Sequence, residues 1–66
     1  MKADRVEISW DNQKSKWLVR IVVGEEVIRR YSSDPKSTED AKLRLSAAQT
    51  AAEEGYAVEP AEIVVK

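Results

Sequence analysis

The sequence predicts an α+β fold of order β-β-β-α-β: a three-stranded antiparallel meander, one helix packed on one face, and a C-terminal fourth strand. Three observations predict it. Arg5-Val6-Glu7-Ile8-Ser9-Trp10 alternates polar and apolar side chains, as a half-buried strand does. Two runs rich in β-branched residues, 17–23 and 27–31, follow it across short polar breaks. An alanine-rich segment then lies between the turn sequence Asp34-Pro35 and Gly55, where a helix has both a place to start and a place to stop.

Strand one covers residues 5–10. Asp11-Asn12-Gln13-Lys14-Ser15-Lys16 has turn composition, so 17–23 returns as the second arm of a hairpin. Gly24 suits the positive φ of a tight turn, and 27–31 is strand three. After Asp34-Pro35, Ser37 is the expected helix cap, and Glu39 and Asp40 put negative charge on the positive end of a helix over residues 38–54. Gly55 ends it. At 100° per residue Ala41, Leu45, Ala48 and Ala52 share one stripe, the expected buried face, and Leu43 points roughly opposite. Residues 60–65 read as the last strand, with Pro60 at its entry, where no ladder hydrogen bond is lost.

At 66 residues the chain reads as a single domain, residues 1–66, small enough that every apolar side chain counts toward the core. It has no cysteine and no histidine, which removes disulfides, thiolate nucleophiles, zinc–sulfur sites, the commonest general base and the commonest transition-metal ligand. The first residues contain no apolar leader segment, and no stretch approaches the length of a membrane span, so a cytoplasmic location is expected. The net charge of −1 is uneven: residues 1–33 hold seven Lys/Arg against five Asp/Glu, and residues 34–66 hold four against seven. Such an imbalance is mild for a nucleic-acid binder.

Candidate chemistry is sparse. Glu39-Asp40 fits helix capping, because adjacent helical residues project about 100° apart. Ser32, Ser33 and Ser37 lack any base placed by a motif. Gly24 and Gly55 are the only glycines, too few for a phosphate-cradling loop, and no calcium-loop motif occurs. No cofactor, metal, catalytic residue or small-molecule substrate is predicted, and the chain reads as a non-enzyme.

Arg20 interrupts an apolar run and raises the question of what it faces. If Trp10 opposes Trp17, Ile8 meets Val19, Val6 meets Ile21, and Glu7 meets Arg20 on the side away from the helix. A two-residue second turn sets Arg29 beside Arg20, and a three-residue turn sets Arg30 there. Either register opposes two arginines, so an anion is wanted. One reading is a solubilising ladder anchored by Glu7. The other is a docking surface formed by Lys16, Leu18, Arg20, Arg29 and Arg30 for an acidic protein partner or for phosphate. Leu43, on the expected outer helix face, is a candidate homodimer contact.

Lys16-Trp17-Leu18-Val19-Arg20-Ile21, Val27-Ile28-Arg29-Arg30-Tyr31 and Ser37-Thr38-Glu39-Asp40-Ala41 together resemble the three-strand-then-helix plan of AP2-like domains and of the arm-binding amino-terminal domains of tyrosine integrases, over residues 16–54. That resemblance implies a sheet face in the DNA major groove, with contacts from Lys16, Arg20, Arg29 and Arg30. The full β-β-β-α-β order, closing on Ala61-Glu62-Ile63-Val64-Val65, is similar to small uncharacterised bacterial domains, which imply no function. A non-enzymatic binding or protein-interaction module acting through the open sheet face is the favoured expectation, with DNA binding as the alternative.

Overall fold

In the computed structural model, which describes residues 2–66, the meander forms from β1 (Arg5–Asp11), β2 (Lys16–Val23) and β3 (Glu26–Ser32). The first turn is built locally. Asp11 Oδ1 accepts the amides of Gln13 and Lys14 at 2.9 and 3.2 Å, and Ser15 takes a positive φ of 52° to bring the chain back. Trp10 then opposes Trp17, Ile8 opposes Val19, Val6 opposes Ile21 and Glu7 opposes Arg20, the register expected from the tryptophans. Their rings meet edge to face, centroids 5.5 Å apart, which is a favourable aromatic geometry.

The second turn contains only Gly24 and Glu25, since Val23 pairs with Glu26. Gly24 has φ 59° and Glu25 has none of the positive-φ strain, the pattern of a type II′ turn, in which the first central residue is normally glycine. The Gly24 amide also donates to Asp4 Oδ2 at 2.6 Å. Of the two registers open to the sequence, the two-residue turn is the one formed, and it places Arg20 opposite Arg29.

The chain crosses to α1 (Asp40–Glu53) through a loop pinned by Pro35, whose carbonyl accepts from Trp17 Nε1 at 2.9 Å and from Thr38 Oγ1 at 2.6 Å. Helix entry differs from expectation: α1 starts at Asp40, two residues late, and Glu39 rather than Ser37 is the N-cap, with no side-chain cap bond. The Thr38 amide is already taken by the Pro35 carbonyl, so this turn closes before the helix begins. At the other end Gly55, φ 91°, and Tyr56 donate their amides to the carbonyls of Ala52 and Ala51 at 3.0 and 2.9 Å. These are the two hydrogen bonds of a Schellman motif.

The buried helix face is a correction. Leu43, expected outward as a dimer contact, is 1% exposed and is buried with Ala47 and Ala51, whereas Leu45 is 60% exposed. Apolar residues lie on several sides of this helix, so periodicity alone selects no face. The choice is tertiary: the stripe through Leu43, Ala47 and Ala51 is the one that closes over the sheet, with the half-exposed Arg30–Glu54 pair, 2.9 Å apart, at its margin. Leu43 is accordingly part of the core with Ala3, Val6, Ile8, Trp17, Val19, Ile21 and Ile63.

The last strand is also shorter than expected. Pro60–Glu62 forms a single 3₁₀ turn, and only Val64–Val65, β4, pairs with the sheet. It runs parallel to β1, with Val64 beside Glu7 and Val65 beside Ile8, giving the strand order β3-β2-β1-β4. Helix and core lie on one side of this mixed sheet, and among the described residues no element covers the other.

Candidate functional site

Alternation along each strand puts the residues of the uncovered face in rows. The central row is Glu7, Arg20 and Arg29, with Val64 beside Glu7. One neighbouring row is Arg5, Val22 and Val27, and the other is Ser9, Leu18 and Tyr31, beyond which Asp11 opposes Lys16. Lys16, Leu18, Arg20 and Arg29 therefore share the face, as expected; Leu18 is half-buried and the three cations are exposed.

Arg30 is the exception. The two-residue turn rotates it to the helix side, where its guanidinium donates to Glu54 Oε1 at 2.9 Å and to the carbonyl of Arg29 at 2.8 Å. It does not belong to the open surface.

Glu7 sits at the centre of the face and is only 5% exposed. Three cations converge on it: Lys66 Nζ at 2.6 Å, Arg5 at 3.1 Å and Arg20 at 3.3 Å. The hydrogen bond from Lys66 is the main cause holding its carboxyl below the ordinary value of 4.5; burial pushes the other way, and the charges of Arg5, Lys66 and Arg20 add to the lowering. Arg20 is thus not free, because its guanidinium donates to this buried carboxylate. No ion pair holds Arg29 among the described residues, and it lies beside Arg20 in a row where like charges repel.

The apolar part of the surface is larger than the expected Leu18. Val27, Tyr31 and Val64 are three of the four large apolar side chains exposed among the described residues, and all three lie on this face. The Tyr31 hydroxyl donates to Asp11 Oδ2 at 3.3 Å, and Lys14 Nζ lies 5.6 Å from its ring centroid. Arg5 could have been placed by extending the Trp10–Trp17 register to the strand end, whereas Tyr31 follows only once the second turn is known to hold two residues. Lys66 could not, because its approach to Glu7 depends on the parallel docking of a two-residue strand.

Among the described residues, no cluster of three or more carboxylates, histidines or cysteines could hold a metal ion, and no helix is long and apolar enough to cross a membrane. Comparison with protein-family models, curated proteins and solved structures returned no match.

Proposed function

We propose that the chain is a small non-enzymatic interaction module whose uncovered sheet face docks an acidic, partly apolar segment of a partner protein. The observation that carries this reading is the interleaving of Val27, Tyr31 and Val64 with Arg5, Arg20, Arg29 and Lys66 on the side without a helix. Apolar rows supply area to bury and cations supply orientation and specificity. A phosphate backbone fits less well. It offers the apolar rows nothing to bury, and it would have to approach a face centred on a carboxylate in a chain of net charge −1.

The test is an NMR titration of the labelled protein with a synthetic peptide alternating glutamate and leucine, beside a short DNA duplex. Peptide shifts should concentrate at Leu18, Arg20, Val27, Arg29 and Tyr31, and Arg29→Glu should weaken binding by about tenfold. Shifts on the helix alone, or none at millimolar peptide, would sink the proposal. Binding to the duplex with a log–log salt slope of about −3, in the absence of peptide binding, would favour DNA instead.

A further inference from the structure

We infer that the free edge of β3 is a dimerisation edge, pairing antiparallel with β3 of a second copy of this chain in one register, with Ile28 on the dyad. β3 is the outermost strand, seven residues long, and among the described residues no element pairs with its outer side. The two-residue turn makes Val23 and Glu26 a hydrogen-bonded pair. Alternation then directs the backbone groups of Glu26, Ile28, Arg30 and Ser32 toward β2, and those of Val27, Arg29 and Tyr31 outward. The Arg29 carbonyl fits this assignment, since it is reached at 2.8 Å by the Arg30 guanidinium from outside the ladder.

Such an edge can template another strand, and charged side chains usually discourage it. Here the charges and the strand length together select a register, since Val27 on the dyad would pair only residues 26–28 of each strand. With Arg29 on the dyad, Arg29 would face its own copy, and with Arg30 there the same repulsion arises. With Ile28 on the dyad, Ile28 meets Ile28 and Glu26 of each chain stands opposite Arg30 of the other, an isologous and charge-complementary arrangement. In that register Val27 and Arg29 exchange backbone hydrogen bonds across the dyad. The Val27 amide of the second copy would replace Arg30 as donor to the Arg29 carbonyl, freeing one arm of Arg30 for Glu26 while the other keeps Glu54. Glu26 is exposed and makes no ion pair among the described residues. The two sheets would join into one, with both uncovered faces on the same side.

Sedimentation equilibrium of the unliganded protein, from about 10 µM to 1 mM, tests the inference independently of any partner. A reversible dimer is expected. Val27→Pro removes an outward N–H at an edge position where proline is tolerated, and Glu26→Arg places like charges opposite Arg30; each should weaken association about tenfold or more. Glu62→Gln, beside β4 at the opposite edge of the sheet, should leave it unchanged. A wild type that stays monomeric throughout overturns the inference, as does a dimer that Val27→Pro leaves intact. Should Val27→Pro lose the near-ultraviolet signal of the paired tryptophans, Glu26→Arg decides alone, and an unaltered dimer again overturns it.

Discussion

Glu7 is where the open face and the stability of the fold meet. A carboxylate this buried costs desolvation energy, and three half-exposed cations offset it. Since its carboxyl titrates below 4.5 in the fold, the ionised form contributes its full stabilisation above about pH 5, and the contribution is lost as pH falls through the depressed value. Glu7→Gln should therefore cost about 1–2 kcal/mol at neutral pH, a modest figure because solvent screens the partners. Its urea midpoint should also fall less than that of the wild type between pH 6 and pH 3. Asp34, held low chiefly by the hydroxyl of Ser32 and then that of Ser46, titrates in both proteins, so the difference between the two curves isolates Glu7. Parallel curves would show that the cations do not stabilise the fold through this carboxylate.

Among the elements, the helix end is set by backbone geometry. A Cβ on Gly55 would meet no atom within 4 Å, so Gly55→Ala should cost only the left-handed conformation, about 1–2 kcal/mol. Gly55→Asn should cost less, and thermal melts of the two variants check the order. That stop was legible in the sequence because glycine after a helical segment has one dominant use. The first hairpin was legible too, because period two and a tryptophan pair fix the register together, and so the side on which Arg20 emerges followed. The helix face was not legible. Two apolar stripes, one through Leu43 and one through Leu45, compete on the same cylinder, and the choice is made by packing against Val6, Ile8, Val19 and Ile21, which are distant in sequence. The placement of Arg30 was equally hidden, since one residue more or less in the turn after Val23 moves it to the other side of the sheet. β4 gave no sign of running parallel to β1, because two residues carry too little pattern to state a direction.

The molecule as a whole has one thin core between a single helix and a sheet covered on one side only. At about 0.05–0.15 kcal/mol per residue, a chain of this size has roughly 3–10 kcal/mol of stability, so one misplaced side chain is a large fraction of the total. Leu43 is among the largest fully buried side chains and belongs to the core that the helix closes over the sheet. Truncation there removes transfer energy and leaves a cavity that the neighbouring alanines cannot fill, for a cost of about 2–5 kcal/mol. Leu45→Ala, 60% exposed, should lie within about 0.5 kcal/mol of the wild type. Urea unfolding followed by tryptophan fluorescence reads both, and it reads the core directly because Trp17 is part of it. A large loss for Leu43→Ala beside a negligible one for Leu45→Ala would confirm which stripe the sheet holds. The reverse order would mean that the helix is rotated by roughly half a turn, and that Leu43, not Leu45, faces solvent.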